Sequence, residues 1–364
     1  MLADKSVAVV VPCYNEETQI GRVIETMPEF VDLIIIVNDK SKDKTEEVVK
    51  GIIQQRNDPR NENIKAREYR LSDNPYDYAE NVSMEVKKEE AKYFTPAEIT
   101  AAANSKVVLV SHTKNGGVGA AIASGYKYAR DYNIDCTAVM AGDGQMDPAE
   151  LESICMPVIT GKADYSKGNR LKHHSAKYFI PKVRYYGNSI LSILTKVASG
   201  YWRISDTQTG YTAISLEALD NIEIHKIYKT YGMPNDLLVK LNIASFTITE
   251  VPIKPVYNVG EQSKMKVSKV IPRVSWLLIK LFFQRMFRKY LLRDFHPVVL
   301  LYFLAFFTAL IDLPLMVKIL YHYVVNDGVL YGHLILATFV TIFSFQSFIF
   351  AMWFDMQDNE RLYA

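Results

Sequence analysis

Residues 137–148 read TAVMAGDGQMDP, an apolar run that ends in a cluster of polar side chains. The first five residues have the length and character of a buried strand. Asp143, Gln145 and Asp147 follow within a loop, and Pro148 marks the start of a helix, because proline is favoured at the first helical position. A strand, a polar loop and a helix in that order predict one unit of an α/β domain.

The same order recurs three times earlier in the chain. Apolar runs of strand length are followed by polar loops and then by helical segments, and the runs lie at 7–11, 33–37 and 107–110. Continuous apolar strands that alternate with helices predict a doubly wound, mostly parallel sheet. Ligands bind such sheets beyond the carboxyl ends of the strands. The candidate binding loops are therefore 12–17, 38–43, 112–117 and 142–147.

Residues 54–105 interrupt this rhythm. The stretch is charged and rich in tyrosine, and it predicts an insertion with helices around 82–93 and 96–103. A surface excursion without a chemical role and a functional insertion both remain open.

Composition narrows the class of protein. The chain has 364 residues, of which 49% are hydrophobic, so it can bury one large core or two ordinary ones. Cys13, Cys136 and Cys155 lie far apart, which predicts neither a disulfide framework nor a zinc site and favours a reducing compartment. The opening residues lack a basic segment followed by a long apolar one, so we expect no signal peptide.

Two long apolar segments lie in the last quarter of the chain. Residues 297–317 are interrupted only by Asp312, and residues 329–354 contain no Asp, Glu, Lys or Arg. Each is close to the ~20 residues that a transmembrane helix needs. Two transmembrane helices are the prediction, and two buried helices of a soluble core are the alternative.

A strongly basic segment precedes the first of these helices. It contains no acid, and its basic residues are Lys264, Lys266, Lys269, Arg273, Lys280, Arg285, Arg288, Lys289 and Arg293. Apolar residues recur at helical spacing among them: Val274, Leu277, Leu278, Leu281 and Phe282. The pattern predicts an amphipathic interface helix that lies on the membrane and attracts anionic lipids. Nucleic acid is the other partner of such charge, but the adjoining apolar segments favour lipid, so we predict no nucleic-acid partner.

The candidate loops contain PCYNE (12–16), NDKS (38–41), NGGVG (115–119) and GDGQMDP (142–148). In this order they resemble the motifs of the family-2 glycosyltransferases of GT-A fold, and most of all those that act on polyprenyl phosphates, such as dolichyl-phosphate mannose and glucose synthases. The resemblance covers roughly residues 6–265, apart from the insertion. It implies a Rossmann-like GT-A domain, a nucleotide-sugar donor, a polyprenyl or dolichyl phosphate acceptor, and Mg²⁺ or Mn²⁺ as cofactor.

The resemblance also implies which residues contact the donor. Those positions are Pro12, Tyr14, Asn15, Glu16, Asp39, Asn115, Gly116, Gly119 and Asp143. Asn38 and Lys40 stand where the family usually has Asp and Gly. Gly116, Gly117 and Gly119 are expected to let the backbone approach a phosphate or ribose at a helix start.

The loop GDGQMDP resembles the family's metal motif D-x-D-x-Q-x-x-P. Asp143 matches the second carboxylate and Gln145 matches the glutamine, whereas Ala141 replaces the first carboxylate. Magnesium is often bound by one or two carboxylates together with substrate phosphates, so the reduced set still predicts a metal site when nucleotide is bound. For Asp147, a helix N-cap is favoured over metal ligation.

Three further segments resemble motifs of the acceptor side. KGNR (167–170) resembles G-S-R, and Arg170 and Arg184 are expected to hold the acceptor phosphate. DTQTGY (206–211) resembles D-x-x-S-G-F, in which Asp206 is a base or an orienting residue. GEQSK (260–264) resembles G-E-S-K, whose Lys264 is expected to reach a phosphate.

The prediction is therefore an inverting transfer of a single hexose from a UDP- or GDP-sugar to polyprenyl or dolichyl phosphate, with Asp143, Asp206, Arg170 and Arg184 as the catalytic set. The Q-x-x-R-W motif of processive members is not matched near Gln284. A glycosyltransferase that acts on a hydroxyl-bearing lipid and a non-catalytic nucleotide-sugar-binding membrane protein are the alternatives.

The predicted organisation has four parts. Residues 1–260 form a cytosolic catalytic domain that contains the insertion, 261–296 form the interface helices, 297–354 form two transmembrane helices, and 355–364 form a cytosolic tail. Basic flanks place the domain and both ends of the chain in the cytosol. The sequence indicates no oligomeric state.

Overall fold

The fold is taken from a computed structural model. The described residues are 1–56, 59, 61, 63–67, 71–101, 105–173, 182–256, 267–326, 328 and 330–364. Within them, the side chains that are not described are those of 182–188, 190, 267–270 and 326.

An eight-stranded sheet forms the centre of the α/β domain. Its strands are β1 (Val7–Cys13), β2 (Leu33–Asn38), β3 (Ala97–Thr100), β4 (Val107–His112), β5 (Cys136–Val139), β6 (Tyr165–Asn169), β7 (Thr212–Ser215) and β8 (Ile248–Pro252). The strand order is β3-β4-β2-β1-β5-β7-β6-β8, and only β3 and β7 run antiparallel to their neighbours. The prediction of a mostly parallel α/β sheet is confirmed.

Helices cover both faces of the sheet and continue beyond it. They are α1 (Ile20–Glu25), α2 (Thr45–Gln55), α3 (Tyr78–Glu90), α4 (Val118–Asp131), α5 (Leu151–Ile159), α6 (Lys182–Ser199), α7 (Leu216–Asn221), α8 (Met233–Ile243), α9 (Val267–Phe287), α10 (Val298–Asn326) and α11 (Tyr331–Asn359). Successive side chains of a strand point to opposite faces. Val7, Val9 and Val11 accordingly pack with α1, α2 and α5, while Ala8 and Val10 pack with α4, α7 and α8.

Of the two helices predicted in the insertion, one is present among the described residues and the other is not. The helix expected around 82–93 is present as α3. The helix expected around 96–103 is wrong, because residues 97–100 form the edge strand β3, which pairs with β4 in antiparallel register from Ala97 opposite His112. The free edge of β4 offers backbone partners to this short segment, and that long-range pairing overrides the local pattern.

The interface helix α9 is present, but its two faces differ from the prediction. The apolar residues identified in the sequence are buried against α6, α8 and the start of α10, so they belong to the protein core and not to the membrane-facing side. A second set of apolar side chains is exposed instead, and its members are Ile271, Trp276, Ile279, Phe283 and Phe287. A helix with two apolar faces can bind a domain on one side and lipid on the other.

Two of the predicted surface cations lie in the core. Arg285 is fully buried and forms a bidentate ion pair with Asp355 of α11, with Nη1–Oδ1 and Nη2–Oδ2 distances of 2.7 and 2.8 Å. It also donates to the carbonyl oxygens of Val197 and Ala198 at the end of α6. Lys289 donates to Asn359 of α11 at 2.6 Å. These contacts join α6, α9 and α11, and α11 continues through residues 355–359 of the predicted cytosolic tail.

The helices α10 and α11 are long and apolar enough to cross a membrane, over Val298–Val325 and Tyr331–Leu362. Only 28% and 17% of their most apolar windows are buried within the protein. Side chains such as Phe307 and Leu310 are largely exposed. Helices of a soluble core would bury these surfaces, so the pair is built for an apolar surrounding.

Candidate active site

The loops at the carboxyl ends of β1, β2, β4 and β5 meet at one edge of the sheet. The Asp39 N–H donates to the carbonyl of Cys13 at 3.0 Å, and the Gly142 N–H donates to that of Pro12 at 3.3 Å. The sheet order places β1 between β2 and β5, so the first loop lies between the second loop and the predicted metal loop. The sequence prediction that these loops share one crevice agrees with this placement.

The first two loops are locked to each other by hydrogen bonds. The Asn15 N–H donates to Ser41 Oγ at 3.0 Å, and the Lys42 N–H donates to Asn15 Oδ1 at 2.8 Å. The Glu16 N–H donates to Thr45 Oγ1 at 2.9 Å. The side-chain oxygen of Asn15 therefore holds the neighbouring loop, and donor binding by Asn15 or Glu16 stays a prediction. Tyr14 lies half-buried on the same loop.

Buried Asp39 is the centre of a hydrogen-bonded cluster, which we call the Asp39 cluster and which comprises Asp39, His112, Asn115, Gly116 and Gly117. Its Oδ1 accepts from His112 Nδ1 at 2.8 Å and from the Gly116 N–H at 2.7 Å, while its Oδ2 accepts from the Gly117 N–H at 2.7 Å. Asn115 Nδ2 donates to the Asp39 carbonyl at 3.0 Å. Asp39 is only 3% exposed, so its carboxylate organises the glycine loop from within.

The protonation of Asp39 follows from these contacts. Burial alone raises the pKa of a carboxyl group, but hydrogen bonds from His112, Gly116 and Gly117 outweigh that effect and lower the pKa of Asp39 below its usual value. His112 is oriented on its other side by Ser124, 2.9 Å from Nε2. The sequence prediction did not identify His112, because a histidine at the end of an apolar strand carries no signal of its own.

Gly117 and Gly119 allow close contact between this loop and residues 228–229 of the chain. A Cβ at Gly119 would lie 2.0 Å from the carbonyl oxygen of Tyr228, and one at Gly117 would lie 2.4 Å from that of Lys229. The Gly119 N–H also donates to the Lys229 carbonyl at 2.9 Å. The close backbone approach is therefore made by the chain itself at 228–229. A donor contact at Gly116 or Gly119 stays a prediction that these contacts do not support.

Lys40 occupies a strained backbone conformation. Its φ is 60°, in the left-handed region that favours glycine. The family motif usually has Gly at this position, and the structure gives the physical reason. The lysine side chain is exposed at the edge of the crevice.

The predicted metal loop has one carboxylate and one amide in place. The Gln145 N–H donates to Asp143 Oδ1 at 3.0 Å, and both side chains lie half-buried beyond the end of β5. Asp147 Oδ1 accepts from the Ala149 N–H at 3.0 Å, so the predicted N-cap is confirmed, for a short 3₁₀ turn at Pro148–Glu150. Asp147 is thereby committed to the helix start.

The donor atoms of this loop fit a divalent cation only in part. Among the described residues, no group of three or more His, Cys, Asp or Glu side chains converges to hold a metal. Asp143 and Gln145 supply hard oxygen ligands, which Mg²⁺ and Mn²⁺ accept, and Mg²⁺ commonly completes its shell with substrate phosphates and water. The residues fit a cation that binds together with a diphosphate.

A second buried aspartate lies near the ends of β6 and β8. We call this the Asp206 cluster, and its members are Lys167, Asn169, Arg170, Asp206 and Glu250. Arg170 donates to Asp206 through Nε at 2.8 Å, through Nη2 at 3.1 Å and through its backbone N–H at 3.1 Å. The two predicted catalytic residues are thus brought together as a bidentate pair, with Asp206 only 1% exposed.

The charges around Asp206 hold it ionised. Burial alone raises the pKa of Asp206, but the charge and hydrogen bonds of Arg170, together with the charge of Lys167, lower it below the usual value. Burial lowers the pKa of Lys167 itself to about 8, against the attraction of Asp206 and Glu250. The Lys167 ammonium donates to the carbonyl of Thr209 at 2.5 Å.

Glu250 completes the cluster from β8. It accepts from the N–H groups of Ser205 and Asp206 at 2.8 and 3.2 Å and from Asn169 Nδ2 at 2.7 Å. The sequence prediction missed Glu250. The one available signal, a single acid between apolar residues of a strand, does not distinguish a site residue from a solvent-facing one.

Two predicted residues cannot be placed at the site. Arg184 lies in α6, but its side chain is outside the described residues, and Lys264 lies outside them altogether. The helix of Arg184 does reach the Asp206 loop, since Ser192 Oγ lies 3.2 Å from Thr207 Oγ1. The roles of both basic residues stay predictions.

Comparison with known proteins gives a family match and named relatives. The family described as Glycosyl transferase family 2 matches residues 8–72 and 90–223. A UDP-N-acetylglucosamine–dolichyl-phosphate N-acetylglucosaminyltransferase from Methanococcus voltae is 28% identical over 257 residues, which cover 70% of this chain and 88% of that protein.

Two further relatives carry different sugars in their names. A dolichyl-phosphate beta-glucosyltransferase from Trichomonas vaginalis is 23% identical, over 75% of this chain and 72% of that protein. A polyprenol monophosphomannose synthase from Mycolicibacterium smegmatis is 28% identical, over 43% of this chain and 58% of that protein. The three relatives agree on a lipid phosphate and differ in the sugar.

Proposed function

The chain belongs to glycosyl transferase family 2, and on that premise we propose that it transfers one sugar from a nucleotide-sugar to the phosphate of a polyprenyl or dolichyl lipid. The names of its relatives support that class of acceptor. The observation that carries the proposal is the buried Arg285, which binds the end of α6 in the glycosyltransferase domain and pairs with Asp355 of a helix apolar enough to cross a membrane. A lipid phosphate can therefore reach the site from the membrane surface.

The proposed chemistry is an in-line displacement with inversion at the anomeric carbon. An oxygen of the acceptor phosphate attacks that carbon while the bond to the nucleoside diphosphate breaks, and the leaving diphosphate takes the bonding electron pair. A phosphate monoester has its second pKa near ~6, so the attacking oxygen is already ionised near neutral pH. Catalysis then consists of positioning and charge neutralisation.

The state of Asp206 favours this acceptor over a lipid hydroxyl. A hydroxyl acceptor needs a general base whose pKa lies near the working pH. The pKa of Asp206 is held below the usual range, and its carboxylate is engaged by Arg170. Asp206 is thus a weak base but an effective positioning residue for Arg170, which we assign to the acceptor phosphate together with Arg184.

The donor diphosphate is assigned to the metal loop. Asp143 and Gln145 would hold Mg²⁺ or Mn²⁺ there, and the cation would offset the charge that develops on the leaving diphosphate. The donor is a UDP- or GDP-hexose. The loops of Pro12–Glu16 and Asp39–Ser41, which are hydrogen-bonded to each other, would form the wall against the nucleoside.

The proposed topology places the domain and residues 363–364 on the same side of the membrane. Two helices of membrane length separate them in sequence, and the Ala364 N–H donates to the Ile248 carbonyl of β8 at 3.1 Å. Basic residues such as Arg273 and Lys280 flank the membrane helices, which favours the cytosolic side.

The test is a donor screen. The full chain, purified in detergent with Mg²⁺ or Mn²⁺, is incubated with polyprenyl phosphate and each of a panel of UDP- and GDP-sugars, and the lipid fraction is analysed by mass spectrometry. We expect one sugar added per lipid phosphate from one donor. The absence of product from every donor, with a known synthase active in parallel, would reject the proposal. Calorimetric binding of a nucleotide-sugar without turnover would support the non-catalytic alternative.

Asp143→Ala tests the metal assignment. We expect activity to fall by at least ~100-fold, because the loop loses its one carboxylate near the diphosphate. Asp147→Asn is the matched control, since Asn caps a helix as well as Asp does. Activity retained by Asp143→Ala, or lost equally in Asp147→Asn, would remove the proposed role of Asp143.

A further inference from the structure

A polar pocket lies between α9 and residues 223–240, and its lining includes no residue of the two aspartate clusters. It is open to solvent and has a volume of about 460 Å³. Basic residues predominate in its lining, and they are Lys226, Lys240, Arg273, Lys280 and Arg288. Neither the proposed sugar transfer nor the family match gives this pocket a role.

The two carboxylates that line the pocket belong to Asp236 and Glu223, and both are paired with basic side chains of the same pocket. Asp236 is buried and lies 2.6 Å from the Lys240 ammonium. Glu223 accepts from Lys226 and, at 2.8 Å, from Arg288. Burial alone raises the pKa of Glu223, but these two cations lower it to about 2, so the carboxylate is ionised and doubly paired. The pocket therefore keeps a surplus of positive charge.

The surplus is concentrated on Arg273 and Lys280. Within the described part of the chain, neither side chain has a carboxylate at ion-pair distance, and both are exposed. They lie seven residues apart, so they project from the same side of α9. Two exposed cations on one wall of a concave surface are arranged to receive an anion.

The exposed apolar face of α9 borders the same wall. Trp276 is 71% exposed, and Ile279, Phe283 and Phe287 follow at spacings of three and four residues, which place them on one stripe of the helix. Lys280 lies directly beside this stripe. A helix that inserts such a stripe into the acyl region of a membrane holds its adjacent basic residues at the level of the lipid phosphates.

We propose that this pocket binds the phosphate of an anionic phospholipid and thereby seats α9 on the membrane. Arg273 supplies a planar fork that can bind two phosphate oxygens, and Lys280 supplies a compact second charge. Trp276 provides the amphipathic ring that is typical of the interface. The charge surplus and the neighbouring apolar stripe select a phosphate attached to a lipid over a soluble phosphate. The proposal is independent of the sugar that the enzyme transfers.

The test uses the full chain in a neutral detergent and measures lipid binding by native mass spectrometry. The probes are phosphatidylglycerol, phosphatidylcholine, inorganic phosphate and farnesyl phosphate. Wild-type protein is expected to bind phosphatidylglycerol more tightly than phosphatidylcholine. In the double variant Arg273→Gln/Lys280→Gln, the affinity for phosphatidylglycerol is expected to fall by roughly tenfold or more, because basic residues at a membrane surface act additively.

Two further variants keep the test decisive. Lys88→Gln/Lys162→Gln removes the same charge from exposed positions elsewhere and is expected to leave phosphatidylglycerol binding unchanged. The charge-conserving Arg273→Lys/Lys280→Arg is expected to restore most of the binding. Equal loss in the control pair, or no loss in the double Gln variant, would overturn the proposal. Displacement of phosphatidylglycerol by farnesyl phosphate would assign the pocket to the acceptor, and displacement by inorganic phosphate would reduce it to a general anion site.

Discussion

The Asp39 cluster and the Asp206 cluster stabilise a buried carboxylate with different partners. Each buries one aspartate almost completely and keeps it ionised. Asp39 is stabilised mainly by hydrogen bonds, from a histidine ring and two backbone N–H groups, whereas Asp206 is stabilised mainly by the charge and hydrogen bonds of Arg170 and by the charge of Lys167. The first arrangement shapes a loop. The second holds cations in place, which is what a site for an anionic substrate requires.

The largest effect is expected from Asp206→Asn. The substitution removes the carboxylate that pairs with Arg170 and attracts Lys167, and removing one partner of a buried ion pair costs about 3 kcal/mol. The thermal unfolding midpoint of the detergent-purified protein should fall, and glycosyl transfer should be lost. Asp147→Asn, at an exposed cap, should leave the midpoint unchanged. An Asp206→Asn protein with wild-type stability would show that the charges of this cluster are screened, which would remove the contrast with Asp39.

Asp39→Asn should have a smaller effect. The new amide group can keep part of the cluster, but its NH₂ must face one of the donors that Asp39 now accepts from. One unsatisfied buried donor costs about 2 kcal/mol. No lysine or arginine of the cluster loses its carboxylate partner, so the fall in unfolding midpoint should be less than for Asp206→Asn. A larger fall than in Asp206→Asn would reverse the ranking of the two clusters.

The clusters should also differ in their response to alkaline pH. The pKa of Lys167 is about 8 in the folded protein and near 10.5 in the unfolded chain, so between these values the unfolded chain binds more protons and stability rises with pH. Asp39 and Asp206, with lowered pKa values, contribute stability above the ordinary carboxyl pKa and lose it only in acid. Lys167→Met should therefore weaken the rise in unfolding midpoint between pH 8 and 9.5, and Lys162→Met should not.

Part of this alkaline rise should survive in Lys167→Met. Lys289 in the α9 region also has a pKa lowered to about 8 by burial, so it contributes a rise of the same sign. A slope that is identical in wild type and Lys167→Met would mean that burial does not lower the pKa of Lys167, so that the ammonium stays charged in the folded protein throughout this pH range.

The smallest effect is expected from Lys40→Gly, beside the Asp39 cluster. Relief of a left-handed backbone conformation should stabilise the protein by about 1 kcal/mol or less, since glycine also gains freedom in the unfolded chain. Lys42→Gly is the matched control. Lys42 is not among the residues with positive φ, so the same change there should destabilise the protein. Destabilisation by Lys40→Gly would indicate that the lysine side chain, and not only the turn, supports the loop.

The sequence allowed the sheet and most of its helices to be anticipated, and it singled out Arg170 and Asp206 as site residues, because strands with continuous apolar residues and loop motifs are local signals. The ion pair between Arg170 and Asp206 was not predicted. His112, Lys167 and Glu250 could not be found in this way, since their roles arise from contacts with residues distant in the chain. The burial of Arg285 and Lys289 was not predicted for the same reason. Their partners in α11, Asp355 for Arg285 and Asn359 for Lys289, each follow 70 positions later in the chain, so the sequence pattern predicts surface charge for both residues.

Contacts at the β8 edge of the sheet determine when, during synthesis, the domain can finish folding. Tyr363 forms a bridge with Ile248, and the Ala364 N–H donates to the Ile248 carbonyl, so residues beyond both membrane helices cover part of β8. A nascent chain cannot make these contacts until α10 and α11 have left the ribosome. An uncovered strand edge is a template for pairing with other chains. The domain therefore covers this strand edge only after both helices are available to the membrane. Its protection from aggregation thus depends on synthesis of the helices that insert there.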